Sequence, residues 1–397
     1  MTSLRPASTA EPATGAVLSM ALCVTALIAS EFMPVSLLTP IAADLGVTEG
    51  RAGQAISISG LFAVITSLSV ASVTRGIDRK TVLSAFSAML ILSGLIVTFA
   101  PDYLTLMVGR SMLGIAVGGF WGMSTAIIMR LVPAGDVPWG LATLNAGVAI
   151  AATVSAPLGA FLGEIIGWRG AFFLVVPLGL AALVWQRVSM PSLPPLGRAA
   201  RVNVFALLLR PQVALGMSAI LLLFVGQFTL FTYLRPYLEG VAGYSVNSLS
   251  LVLLGLGLAG VVGSWVVSKL LTRHLHVINI AIPLLMASVA VLLIAVTPRQ
   301  IPIAVLLMVW GFVATAAPVG WGTWVSRVVP DDAEEGGGLQ VAVIQFAIAL
   351  GAAGGGFMFD RVGWSGTFGC AAALLVGSAV FAVAATLHWK RRLELRQ

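Results

Sequence analysis

The chain has 397 residues, 59% of them hydrophobic and only 9% charged, with a formal net charge of +7. Soluble domains carry about 25% charged residues, so a soluble globular protein is excluded. The excess of Lys and Arg might suit a nucleic acid, but these residues fall between long apolar runs, where they mark one side of a membrane, and no nucleic-acid partner is expected.

Each apolar run is long enough to cross a hydrocarbon core of about 30 Å. Inside lipid every backbone group must be paired within its own segment, so the runs are helices, and the alternation of a membrane barrel is absent. The expected fold class is an all-α polytopic membrane protein. After a polar cytoplasmic tail (1–16), twelve spans are read at 17–42, 50–73, 81–100, 103–130, 138–163, 168–187, 212–238, 248–271, 277–297, 302–327, 337–360 and 364–388. The first is too long, and too interrupted by Glu31 and Pro34, for a cleaved signal peptide. Connections are short except for a Pro- and Arg-rich cytoplasmic linker (189–211), which separates one six-span half (17–188) from another (212–388); a second tail follows (389–397). The linker's last stretch, VNVFALLLR, suits a short amphipathic helix on the membrane surface.

With the N-terminus inside, 16 Lys and Arg fall in cytoplasmic segments and 4 outside (Arg51, Arg169, Arg299, Arg361), while Arg110 and Arg235 lie within spans. That bias puts both termini in the cytoplasm. Cys23 and Cys370 fall inside spans as free thiols, and no disulfide, metal or cofactor pattern is present. An internal repeat relates the halves. APLGAFLGEIIGWRGAFF (156–173) aligns with AGGGFMFDRVGWSGTFGC (353–370) at a shift of 196, Pro40 aligns with Pro236 at the same shift, and MRLVP (129–133) with SRVVP (326–330) at 197. Two pseudo-symmetric six-helix halves in one orientation are expected to hold a binding site between them near the midplane.

Glu31 is the candidate proton carrier. It lies about 21 Å up span 1 from Val17 and about 16 Å below Ala42 at 1.5 Å per residue, a depth where a carboxylate is costly unless protonated, paired or wet. Arg110, about 10 Å down span 4, is its expected partner. Burial favours the neutral acid and a nearby guanidinium the carboxylate, so the pair reads either as proton coupling or as an ion pair locking two helices. Arg235, near the outer end of span 7, suits an anionic or hydroxyl-rich ligand, or the membrane surface. Phe120, Trp121, Asn145, Gln227, Tyr233, Trp310, Trp321, Gln340 and Gln345 supply rings and amides within the spans, a set suited to a flat, hydroxyl-bearing heterocycle or to helix packing and interfacial belts. Trp324 is expected in the belt. Gly159 on span 5 and Gly351 and Gly355 on span 11 belong to small-residue faces at four-residue spacing, along which the halves are expected to rock, and Pro157 bends span 5. His274, His276 and His388 lie at span ends, Asp331, Asp332, Glu334 and Glu335 form one solvated turn, and no enzyme constellation can be assembled.

These residues resemble the drug:proton antiporter branch of the major facilitator superfamily over the full length. RSMLG (110–114) is similar to its fourth-span pattern of an Arg followed four residues later by a Gly, here Gly114, and the resemblance implies proton coupling for Arg110. APLGA (156–160) is similar to the antiporter Gly-Pro signature, with Ala156 and Ala160 in place of two glycines. Of the family's loop between spans 2 and 3 only Arg79-Lys80 survives, with Arg75 at the family's Asp. Within the branch, EFMPVSLLTPIAADLG, GGFWGMSTAIIMRLVP, FTYLRP, PVGWGTW and QVAVIQ resemble bacterial purine ribonucleoside efflux pumps. That resemblance implies a monomeric antiporter exporting inosine, guanosine and analogues against protons by alternating access; a sugar or multidrug exporter is the alternative.

Overall fold

The computed structural model describes residues 13–195, 204–329 and 333–394. Most of the N-terminal tail, the middle of the linker, Asp331, Asp332 and the last three residues lie outside them. Its helices are α1 (Thr14–Phe32), α2 (Leu38–Leu45), α3 (Glu49–Val73), α4 (Arg79–Thr98), α5 (Tyr103–Leu131), α6 (Val137–Phe173), α7 (Val175–Ser189), α8 (Pro211–Phe231), α9 (Leu234–Gly240), α10 (Val246–Val296), α11 (Gln300–Ala314), α12 (Ala317–Val328), α13 (Ala333–Val362) and α14 (Trp364–Glu394). No strand occurs among the described residues.

Eleven helical stretches among the described residues are long and apolar enough to cross a membrane. One of them, Trp139–Ser189, has 51 residues, or about 77 Å at 1.5 Å per residue, more than two hydrocarbon cores. It turns at Gly167, whose φ of 74° is open to glycine but disfavoured for other residues. Taken as two legs it completes the twelve expected spans. A second 51-residue helix, α10, is likewise interrupted at His274. Polar caps start several helices: Thr48 accepts from Arg51 N at 3.1 Å, Asp78 from Lys80 N at 2.7 Å and Asp102 from Thr105 N at 2.8 Å. At the linker's end, Val204–Leu209 forms a 3-10 helix rather than an amphipathic α-helix, with Leu207 buried and Leu209 exposed.

Four spans are broken among the described residues. Span 1 breaks between α1 and α2, span 6 between α6 and α7, span 7 between α8 and α9, and span 10 between α11 and α12. Pro34, Pro236 and Pro318 each sit in the first turn after a break, where the missing N–H costs least.

Buried apolar side chains form two clusters, one dominated by residues 16–193 and the other by residues 207–385. The small-residue faces serve packing inside each half. A Cβ on Gly159 of α6 would lie 2.6 Å from Ser36 Oγ, and on Gly351 and Gly355 of α13 it would lie 2.7 Å from Val225 O and 2.9 Å from Thr229 O. The seams between halves run elsewhere, α3 against α13 and α6 against α10. Pro157 contributes to the second seam, because it cannot bond to the Thr153 carbonyl, and that oxygen lies 2.8 Å from where a Cβ of Gly257 would stand.

Candidate functional site

The broken span 1 organises the site. Pro34 has no N–H for the Ser30 carbonyl, so α1 stops at Phe32 and the chain passes through a 3-10 turn, Met33–Ser36. Arg110, on α5 and fully buried, takes up the released oxygens. Its Nη1 donates to Ser30 O at 2.7 Å and its Nη2 to Glu31 O at 3.1 Å, while Nε donates to Ala55 O at 2.9 Å and Nη2 also to Ser59 Oγ at 3.2 Å. Backbone oxygens at a helix C-terminus carry partial negative charge, which favours a cation there. Gly114, one turn along α5, lets the two helices meet closely enough for this: a Cβ there would lie 2.1 Å from Ser59 O.

Arg110 and Glu31 are therefore neighbours, joined through the Glu31 backbone oxygen. The Glu31 side chain turns to the other half instead. Its Oε1 accepts from Gln345 Nε2 of α13 at 3.3 Å, and both residues are buried. One residue thus faces a guanidinium in its own half with its backbone and an amide across the interface with its carboxyl.

Further contacts between the halves gather at the end of the bundle away from the termini, called distal below. Asp360, at the end of α13, accepts from Thr48 Oγ1 at 2.7 Å and Gly50 N at 3.1 Å, so a carboxylate of one half sits on the N-terminus of α3 in the other, where the helix dipole favours an anion. Tyr233 is fully buried. Its hydroxyl donates to Ala352 O at 2.7 Å, with Gly50 O 3.5 Å away, and its ring stacks on Phe359 at 5.3 Å. Gly53 and Gly356 make room for it, since a Cβ on either would stand within 2.4 Å of the hydroxyl oxygen. Arg235 does not reach the membrane surface: it is buried, pairs with Glu239 at 2.8 Å and donates to Ser36 O across the interface. Two arginines, one from each half, therefore hold the broken stretch of span 1.

The remaining candidates are spread more widely. Phe120 lies at zero exposure in the first core, edge-on to the half-buried Trp121 at 5.9 Å. Asn145 is exposed on α6. Trp310 and Trp321 are buried in the second half, and the Trp321 indole N–H has no hydrogen-bond partner. Gln340 is buried on α13, and Gln227 is half-buried with its Oε1 unpartnered. Trp324 is not a belt residue. It is buried edge-on to Trp321, and a Cβ on Gly216 of α8 would lie 2.0 Å from its ring.

Sequence reading missed Phe32, Ser36, Gly50, Gly53, Phe228, Gly356 and the role of Asp360. The signal was available for one pair: extending the 196-residue repeat into spans 1 and 7 aligns Phe32 with Phe228, and these two rings stack on each other at 5.7 Å with 20° between their planes.

Comparison with known proteins agrees with this architecture. A bacterial homologue of the human lysosomal transporter Spinster, solved inward-facing and occupied, superposes with a TM-score of 0.75 at 16% identity, over 93% of this chain and 96% of that one. The transcription regulatory protein OpdE of Pseudomonas aeruginosa is 52% identical over 371 residues, 92% of each chain. The purine ribonucleoside efflux pump NepI of Shigella sonnei is 43% identical over 375 residues, covering 93% of this chain and 95% of that protein. NepI of Salmonella typhimurium is 43% identical over 354 residues, 89% of each chain. Residues 20–337 match the Major Facilitator Superfamily profile. A multi-pass inner-membrane bundle with these relatives is a transporter and not an enzyme: the chain belongs to the major facilitator superfamily.

Proposed function

We propose that this transporter exports purine ribonucleosides in exchange for protons by alternating access, with both termini in the cytoplasm. The observation that carries the reading is Glu31, a carboxyl buried inside a broken span and bonded at its side chain to Gln345 of the opposite half. The NepI relatives supply the substrate class.

With the termini inside, the distal latch closes the outer face, the arrangement of an exporter waiting to load cargo. A hydrogen bond to a charged carboxylate is stronger than one to a neutral acid. Ionised Glu31 therefore holds Gln345 and keeps the outer face shut. Cargo that takes the Gln345 amide for itself frees the latch, and once cargo has left, a proton arriving on Glu31 from outside removes the cost of reburying a charged carboxylate, so that the outer face can close again before the proton leaves to the cytoplasm. Arg110 fixes the Glu31 backbone and tunes the carboxyl through its charge. The name of the OpdE relative speaks of transcription, which a transporter can reach by changing the internal concentration of an effector.

In proteoliposomes, Glu31→Gln is expected to abolish inosine exchange driven by a pH gradient while leaving the protein folded; exchange at the wild-type rate would refute the assignment. Competition by inosine, arabinose and chloramphenicol separates the purine reading from a sugar or multidrug exporter.

A further inference from the structure

The pseudo-two-fold that relates the halves is broken at one place in a chemically specific way. At a shift of 196 it carries Phe32 onto Phe228, Glu31 onto Gln227, and Gln345 onto Ala149; at the shift of 197 that matches MRLVP to SRVVP, Arg110 falls on Leu307. The Phe32–Phe228 stack therefore sits where the axis passes between the halves, and Phe32 packs against both hydrophobic clusters. On one side of the axis stand an acid, a guanidinium and a bridging amide. On the other stand an amide, a leucine and a methyl group.

Gln227 pays for that replacement with an unmade bond. Its Oε1 is buried and has no hydrogen-bond partner, and the repeat puts Ala149, which has no amide to offer, at the position corresponding to Gln345. Buried polar atoms are rarely left unpaired, so this oxygen between the halves is an acceptor available to a ligand that parts them.

We propose that Phe32, Phe228 and Gln227 form the recognition floor for the cargo's planar ring. The base stacks on the half-buried Phe32 ring, and the Gln227 amide pairs with the ring edge. A primary amide presents an acceptor and a donor side by side, the complement of a lactam edge carrying N–H next to C=O, as in hypoxanthine and guanine. A free sugar has neither the stacking face nor that edge. The assignment rests on the purine reading above and names the residues that would enforce it, two of which, Phe228 and Gln227, lie on the half opposite the proton site.

The test is equilibrium binding of tritiated inosine to the full-length protein in nanodiscs. The variants are Phe32→Leu, Phe228→Leu, Phe228→Tyr and Gln227→Leu, each checked for a monodisperse elution profile. Removing a stacking partner is expected to weaken binding about tenfold or more, with Phe228→Tyr binding like the wild type. The wild type is expected to prefer inosine to 1-methylinosine, which lacks the ring N–H, and Gln227→Leu to treat the two alike. If wild type binds inosine and the Leu variants match it, or if Gln227→Leu keeps the preference, this inference is overturned and the purine reading stands. If wild type binds no inosine, the purine reading falls, and the same panel with the planar dye rhodamine 6G decides the floor: equal binding by wild type and Leu variants, or none, overturns it. Should the Phe variants fail to fold, the 1-methylinosine comparison on Gln227→Leu decides.

Discussion

Replacing Arg110 by lysine tests whether the guanidinium exists to hold a broken helix. The guanidinium makes four hydrogen bonds from three nitrogens, to Ser30 O, Glu31 O, Ala55 O and Ser59 Oγ. An ammonium concentrates its donors on a single atom and cannot follow that fork, so one or two of the four are lost. Hydrogen bonds to charged groups contribute about 1.5–3 kcal/mol each, which makes the expected destabilisation of Arg110→Lys about 2–6 kcal/mol. The distinctive part is the coupling to Pro34. Pro34→Ala returns an N–H able to bond to Ser30 O, so it removes part of the need for the arginine. The double variant should lose less than the sum of the singles, by about 1 kcal/mol. Cys23 is fully buried, so in a Cys370→Ser background a thiol-reactive dye reports thermal unfolding through Cys23 alone. Strict additivity of the two substitutions would refute the idea that Arg110 caps the break left by Pro34.

The distal latch gives two further predictions. Asp360→Asn removes the anion from the N-terminus of α3; caps of this kind contribute about 0.5–2 kcal/mol, so the distal-open population should rise about two- to thirtyfold, read as spin-label distances between positions 164 and 299. An unchanged distribution would remove Asp360 from the latch. Gly356→Ala places a Cβ 2.4 Å from the Tyr233 hydroxyl oxygen and 2.8 Å from Gly50 O; it should hold the distal end apart and stop exchange without lowering expression, and a variant that still closes and transports would show that the close approach is dispensable.

The number of membrane crossings, the two-half repeat and the residues Glu31 and Arg110 were legible in the sequence. Each depends on a property that a linear chain displays directly: an apolar run must be helical in lipid, a duplicated half leaves a constant offset, and a charge in hydrocarbon stands out against its neighbours. The partners of those charges were not legible. Spacing along a helix predicts depth but not which atoms meet, so a carboxylate–guanidinium pair was the natural expectation. Only the fold shows Arg110 serving backbone oxygens freed by Pro34, while the Glu31 carboxyl reaches an amide more than three hundred residues away. The small-residue faces of spans 5 and 11 were visible as a spacing, yet the spacing is the same whether a helix packs within its half or across to the other. Tertiary structure decided that, putting Gly351 and Gly355 against α8 and leaving Gly50, Gly53, Gly257 and Gly356 to the seams. The physical reason is that burial and periodicity are properties of one segment, whereas a contact between halves depends on how two segments, each already satisfied internally, are brought face to face.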